Sequence, residues 1–295
     1  MPQDDPSHSV DAVEIQAVTI TTAEGMRLAA DIAGEPWRPR LIFIHGGGQS
    51  RRSWRKAVRT MVTAGYSVVS YDLRGHGESD WSDSADYDLA AHVRDLGAVI
   101  RASPTPPALV GASLGGRVAL AVAAEYGSDL VRALVLVDMA PRVSRKGLER
   151  VAQFLDVSAG GFDTVQQAAV TLERYAEREI GHNYFRLSHS LTTGKDGRIY
   201  WRWDPRLAQP SFLLPDNIED YLTACASRLT CPTLLVRGTQ SDIVDDDSVA
   251  HFRKIQPAAE VAEISGAGHL MRTGQLTVFC DSTLAFLDKT FRRSA

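Results

Sequence analysis

The order of apolar and polar positions along the chain predicts a series of strands and helices. Residues 13–21 alternate apolar and polar side chains, and a second apolar-rich run at 26–32 follows a turn at Glu24–Gly25, so an antiparallel hairpin is expected. Further short runs of strand-forming residues occur at 41–44, 66–71, 108–110, 131–137, 233–237 and 261–264. Several of these runs are apolar throughout, which is typical of strands buried on both faces.

Segments with helical periodicity lie between these strands. They follow the strand at 41–44 and cover about 89–102, 114–126 and 249–255. The final segment carries an apolar stripe at helical spacing, formed by Leu276, Phe279, Cys280, Leu284, Leu287 and Phe291. Alternation of this kind predicts the α/β class, with a mostly parallel, doubly wound sheet covered by helices on both faces.

The alternation stops between residues 141 and 227 and then resumes. That interval is mostly helix-like in pattern, with long polar stretches and no buried strand run. We therefore predict a core domain built from residues 1–140 and 228–295, with residues 141–227 inserted as a mainly helical cap. An insertion placed over the carboxyl ends of the strands would act as a lid on a ligand crevice.

The strongest chemical signal is the sequence GASLG at residues 111–115, which fits G-x-S-x-G. A strand leads directly into it and a helix follows directly, the context in which this motif holds a nucleophilic serine on a strained turn. The glycines around Ser113 allow so tight a turn, and the helix dipole favours negative charge at that position. The alternative is a serine in a glycine-rich turn without chemistry.

With this motif in place, the chain resembles the α/β-hydrolase fold family from about residue 13 to its C-terminus. The sequence DLRGHGES at residues 72–79 is similar to the family's D-x-R-G-x-G-x-S loop. The resemblance implies that Gly75 and Gly77 supply turns there and that His76 packs or forms hydrogen bonds rather than acting as a base. The inserted cap is the most variable part of such proteins.

The sequence HGGG at residues 45–48 closes the strand at 41–44 and is the candidate oxyanion loop. Acyl transfer needs backbone N–H donors aimed at the developing oxyanion. One donor is expected from Leu114, the residue after the nucleophile, and the other from Gly47, with Gly48 as second choice. A phosphate-binding loop is the alternative, but no G-K-[ST] follows.

The resemblance also implies a base and an acid after later strands. His269, in GAGH at residues 266–269, follows the last strand and is the candidate base. Asp242, in GTQSDIV at residues 238–244, stands at the family's acid position, which gives the chain order Ser, Asp, His. Asp138, at the end of the strand at 131–137, is the rival acid. The acidic run at 245–247 is interpreted as a solvated helix N-terminus rather than a metal site.

A serine nucleophile favours attack on a carbonyl carbon, because a serine ether formed at a saturated carbon could not be hydrolysed by this machinery. The sequence therefore predicts hydrolysis of a carboxylic ester, thioester or lactone of a small apolar substrate through an acyl-enzyme. One alternative is a carbon–carbon bond hydrolase of β-diketone-like or meta-cleavage products, although Gln49 and Ser50 replace the Pro-Gly of the loop those relatives carry. A second alternative is a non-catalytic small-molecule-binding protein of the same fold.

The substrate pocket is expected to draw on aromatic residues of the cap. Trp201, Trp203 and Tyr184 either wall an apolar pocket or pack the cap onto the core. No cofactor and no metal site are expected, and the partner is a small-molecule substrate.

The composition excludes several classes of protein and leaves the prediction of a small-molecule hydrolase unchanged. The 295 residues are 44% apolar and 23% charged with a net charge of −4, so no basic surplus indicates a nucleic acid or membrane partner. Three scattered cysteines do not form a disulfide framework, and no run approaches the ~18 apolar residues of a membrane span. We expect a cytoplasmic enzyme, with the oligomeric state left open.

Overall fold

The computed structural model describes residues 13–176, 187, 189–209, 212, 215–269 and 273–292. Its strands are β1 Ile15–Thr21, β2 Arg27–Ala33, β3 Arg40–Ile44, β4 Ser67–Tyr71, β5 Ala108–Ala112, β6 Ala133–Val137, β7 Leu191–Thr193, β8 Ile199–Trp201, β9 Thr233–Gly238 and β10 Glu260–Ile264. Its helices are α1 Arg55–Thr63, α2 Leu89–Arg101, α3 Leu114–Leu130, α4 Arg145–Ala159, α5 Val165–Ala176, α6 Ile218–Ser227, α7 Asp246–Ile255 and α8 Thr273–Arg292.

The central sheet has the order β1-β2-β4-β3-β5-β6-β9-β10. The pairs β1–β2 and β2–β4 are antiparallel, whereas every pairing from β4 through β3 to β10 is parallel. The expected α/β class, the N-terminal hairpin and the mostly parallel sheet are therefore confirmed. Parallel strands place all their carboxyl ends at one edge, which is where ligands bind in open α/β sheets.

Helices cover both faces of this sheet because its inner strands are apolar on both sides. In β3, Ile42 and Ile44 join the apolar cluster shared with α2, α3, α6 and α7, while Leu41 and Phe43 join the cluster shared with α1 and α8. The four apolar side chains of β3 are fully buried. Packing on both faces fixes the register of the inner strands, since a shift by one residue would exchange the two sets.

The segment between β6 and β9, where the cap was predicted, contains more than helices. Helices α4 and α5 form one part, and β7 and β8 form a short antiparallel hairpin that the sequence pattern did not predict. Three-residue strands give no periodic signal, because alternation needs at least four positions to show. Helix α6 lies within the predicted cap range but packs on the core, where Leu222 and Cys225 join the cluster around α3.

The cap is joined to the core through the loop after β4. The Gly77 N–H donates to the carbonyl of Arg202 at 2.7 Å, and the Asp204 N–H donates to the carbonyl of Gly75 at 2.8 Å. The Tyr87 hydroxyl donates to the buried Asp204 carboxylate. These contacts hold the segment after β8 against the core.

Across the described residues, no helix combines the length and the apolar character needed to cross a membrane.

Candidate active site

Ser113 occupies the turn between β5 and α3. Its φ of 47° lies in the left-handed region, where a residue with a side chain is strained, and this strain is typical of the nucleophile turn. Two glycines make the turn possible, because a Cβ on Gly111 would lie 2.4 Å from the carbonyl oxygen of Gly115 and a Cβ on Gly115 would lie 2.4 Å from that of Ile44. The turn places Ser113 at the N-terminus of α3.

His269 and Asp138 form the second part of the site. His269 follows β10, and its Nδ1 lies 2.6 Å from Oδ2 of Asp138, which directly follows β6 and is 2% exposed. Because a carboxylate only accepts, Nδ1 carries the proton and Nε2 is left as the acceptor. Ser241 Oγ donates to the same Oδ2 at 2.7 Å. Asp138, like Ser113, has a φ of 47°.

The expected pairing of Asp242 with His269 is wrong. Asp242 Oδ1 instead accepts a hydrogen bond at 2.6 Å from Nη2 of Arg150, on cap helix α4. Helix α4 can lie this close to the loop of Asp242 because residue 147 is glycine: a Cβ there would be 2.2 Å from the backbone oxygen of Asp242. Asp242 is thus paired with Arg150 of the cap. The carboxylate hydrogen-bonded to the His269 imidazole is that of Asp138, the alternative acid named in the sequence analysis.

In the loop after β3, the Gly47 amide is available beside the turn that carries Ser113. The Gly46 N–H donates to Oε1 of Gln49 at 3.2 Å, and the Gly48 N–H donates to Nε2 of His76 at 3.1 Å. The Gly47 N–H has no acceptor within the described part of the chain. Gly47 lies close to Leu114, since a Cβ on it would be 3.9 Å from Leu114 Cδ2. Leu114 is the first residue of α3, so its N–H has no partner inside the helix.

Two buried histidines brace this loop. His45 donates from Nδ1 to the Gly46 carbonyl at 2.8 Å and accepts from the Leu73 N–H at Nε2 at 3.0 Å. His76 donates from Nδ1 to the Arg74 carbonyl at 3.0 Å while its Nε2 holds Gly48. Burial lowers the pKa of His45 to about 4 and that of His76 to about 3, so both are neutral at pH 7. They act as structural hydrogen-bonding residues.

A cavity of about 690 Å³ lies between the sheet edge and the cap, and Ser113, Asp138 and His269 all line it. Gly47 and Leu114 also line it, so the structure brings together every sequence-predicted site residue of the core except Asp242. Within the described residues, no cluster of three or more His, Cys, Asp or Glu side chains could hold a metal ion.

The cap tryptophans both pack and line this cavity. Trp201 is 5% exposed, its Nε1 donates to Ser158 Oγ at 3.3 Å, and its ring contacts Phe162 edge-on. Trp203 is 3% exposed and lies by the candidate oxyanion loop, since a Cβ on Gly48 would be 3.9 Å from its Nε1. The two tryptophans therefore both pack within the cap and form part of the cavity wall. Tyr184 lies outside the described residues.

His92 is a cavity residue that sequence analysis did not single out. It lies on α2, is 1% exposed, and both ring nitrogens lack a hydrogen-bond partner in the described part of the chain. Burial lowers its pKa well below the ordinary value, so the ring is neutral. No sequence motif marks it, and its place in the cavity lining is evident only in the folded chain.

Comparison with known proteins settles the family. The sequence model of the alpha/beta hydrolase fold matches residues 39–271. The chain belongs to the α/β-hydrolase fold family. The chain is 29% identical over 259 residues to an esterase of Mycobacterium tuberculosis, a match covering 85% of this chain and 83% of that protein. It is 28% identical over 266 residues to an sn-1-specific diacylglycerol lipase of Mus musculus, covering 86% and 82% of the two chains.

Solved structures agree on the fold of this α/β-hydrolase. The crystal structure of E-2-(acetamidomethylene)succinate hydrolase superposes with a TM-score of 0.80 at 20% identity, covering 93% of this chain and all of that one. The predicted family is confirmed, and the chain is an α/β-hydrolase enzyme.

Proposed function

We propose that this enzyme hydrolyses carboxylic esters with Ser113 as nucleophile, His269 as base and Asp138 as the acid that orients it. The observation that carries the proposal is the 2.6 Å hydrogen bond from His269 to Asp138, on the cavity that Ser113 lines from its strained turn. Serine, histidine and carboxylate in these roles form the machinery of acyl transfer.

In the first half of the reaction, Ser113 Oγ attacks the ester carbonyl while Nε2 of His269 takes the hydroxyl proton. Asp138 keeps the Nδ1–H tautomer and stabilises the imidazolium that forms. The negative charge that develops on the carbonyl oxygen is met by the N–H groups of Gly47 and Leu114. Collapse of this intermediate, with the proton passing from Nε2 to the leaving alcohol, gives the acyl-enzyme.

In the second half, water takes the place of the alcohol. His269 removes a proton from that water, which attacks the acyl carbonyl, and the same pair of N–H groups receives the oxyanion. Return of the proton to Ser113 Oγ releases the acid and restores the enzyme. The cap residues contribute walls of the cavity, and no step requires a proton from them.

Esters are the favoured substrate class because the relatives are named an esterase and a diacylglycerol lipase. The apolar surfaces contributed by Trp201, Trp203, Phe154 and Leu155 suit an apolar substrate part. Thioesters and lactones present the same carbonyl to the same donors and belong in the substrate panel. Carbon–carbon substrates belong there as the alternative.

The test compares Ser113→Ala with Ser53→Ala, a serine at the cavity rim that is exposed and outside the proposed machinery. Loss of a triad nucleophile reduces kcat by several orders of magnitude, so Ser113→Ala should lose turnover of para-nitrophenyl acetate and labelling by a fluorophosphonate. Ser53→Ala should keep both, and circular dichroism should show both variants folded. Normal turnover in Ser113→Ala would refute the proposal, and a wild type that neither turns over esters nor takes the label would indicate a binding protein.

A further inference from the structure

The charged side chains around the cavity are mostly basic. Among the described lining residues, Arg52, Arg55, Lys56 and Arg117 are cationic, and Asp138 is the one carboxylate. Asp138 already accepts hydrogen bonds from His269 and Ser241, so its carboxylate does not neutralise the cations of the cavity lining. The chain as a whole has a net charge of −4, and the cavity therefore differs in sign from the protein around it.

The rim cations are not equivalent. Arg52 forms an ion pair with Glu78 at 2.8 Å, which compensates its charge. Arg55 and Lys56, in the first turn of α1, are exposed and have no ion-pair partner within the described part of the chain. Their charges are available to a ligand that enters between α1 and the cap.

A fourth cation lies deeper in the cavity. Arg117 is four residues after Ser113 on α3, so its side chain leaves the helix about one turn from the nucleophile. Burial lowers the pKa of its guanidinium, and Glu219 opposes that shift. Glu219 therefore partly compensates Arg117, and the uncompensated positive charge of the cavity lining lies at Arg55 and Lys56.

We propose that the natural ester carries an anionic group and that Arg55 and Lys56 bind it at the mouth of the cavity. This inference rests on the proposed ester hydrolysis and adds the charge class of the substrate. A cleft lined by one sign of charge concentrates ligands of the opposite sign, and the effect weakens as salt screens it. A carboxylate is the probe chemistry, placed either in the leaving group or in the acyl group.

The experiment uses matched pairs of esters that differ by one charge. Para-acetoxybenzoate and its methyl ester place the charge on the leaving group, whereas para-nitrophenyl hemiglutarate and its methyl ester place it on the acyl group. For at least one pair, kcat/KM should favour the anion by about three- to tenfold at low salt, and the preference should shrink as salt is added. The pair that shows the preference identifies which part of the substrate carries the charge.

The variant Arg55→Gln/Lys56→Gln should remove most of this preference, mainly by raising KM for the anionic ester. The control is Arg253→Gln/Lys254→Gln, another exposed Arg–Lys pair, on α7, that does not line the cavity and should keep the preference. Equal kcat/KM for both members of both pairs, or equal losses on both members in the rim variant, would overturn the inference while leaving the ester hydrolase in place. A wild type with no Ser113-dependent turnover of any ester would refute the proposed function and this inference with it.

Discussion

Replacing Asp138 with Asn tests which carboxylate orients the base. Both hydrogen-bond donors on Asp138, His269 Nδ1 and Ser241 Oγ, reach the same oxygen, Oδ2, whereas Oδ1 is buried with no partner in the described residues. An Asn that keeps its oxygen toward the two donors therefore places an amide NH₂ where Oδ1 is, and a buried unpaired donor costs about 1–3 kcal/mol. The negative charge that stabilises the imidazolium is lost as well.

The opposite rotamer has a larger effect on the reaction. An amide NH₂ facing His269 Nδ1 requires that nitrogen to be the acceptor, which moves the proton to Nε2, the atom that must take the proton from Ser113. The corresponding Asp→Asn change in serine proteases lowers kcat about 10⁴-fold. We therefore expect a fall of roughly 10³–10⁴ in kcat for Asp138→Asn, or about 4–5.5 kcal/mol in activation free energy at 1.36 kcal/mol per factor of ten.

Asp242→Asn is the matched control. It weakens only the pair with Arg150, whose side chains are 26% and 28% exposed, and exposed pairs contribute at most about 1 kcal/mol. Its kcat on para-nitrophenyl acetate should stay within about threefold of the wild type, with active-site concentration determined by fluorophosphonate titration. A larger loss for Asp242→Asn than for Asp138→Asn would refute the assignment of the acid.

Two further predictions concern stability and the pocket. Burial lowers the pKa of His45 to about 4 and that of His76 to about 3, against about 6.5 in the unfolded chain, so the unfolded chain binds more protons below pH 6.5. The free energy of unfolding should therefore be highest above pH 6.5 and fall by up to about 1.4 kcal/mol per pH unit for each histidine as the pH drops toward 4. Urea titrations at about pH 7.5 and pH 5 measure this, and equal unfolding free energies at the two pH values would contradict it. Both tryptophan rings are buried, so Trp201→Ala and Trp203→Ala should each lower the unfolding free energy by about 3–5 kcal/mol in melting curves. Because Trp203 also lies by the candidate oxyanion loop, Trp203→Ala should in addition change the discrimination between acetate and octanoate esters by about 1–3 kcal/mol in a kcat/KM series. An unchanged ester preference in Trp203→Ala would contradict its role as a pocket wall.

The fold was predictable where the sequence carries a long periodic or uniformly apolar signal. The buried strands and the closing helix with its stripe from Leu276 to Phe291 are of this kind, and both appear in the structure. The hairpin of β7 and β8 carries no such signal, because its strands are three residues long. The packing of α6 on α3 depends on contacts between distant parts of the chain, which periodicity does not specify.

The candidate site divides in the same way. Ser113 and Gly47 were predicted from motifs with a local backbone context, and both line the cavity in the structure. The choice between Asp138 and Asp242 depends on which carboxylate the imidazole meets after folding, and each follows a strand that ends at the same edge of the sheet. In the structure Asp242 pairs with Arg150 of α4, a contact that neither loop sequence indicates.

If Asp138 is the acid, as we propose, the pairing of Asp242 with Arg150 keeps the cap contact apart from the proposed base–acid pair. If α4 moved away from the sheet to admit a substrate, it would break that ion pair and leave the hydrogen bond between His269 and Asp138 intact. An acid at Asp242 would have coupled each opening of the entrance to the orientation of the base. With the acid at Asp138, directly after β6, as we propose, an opening of the entrance would leave the base oriented.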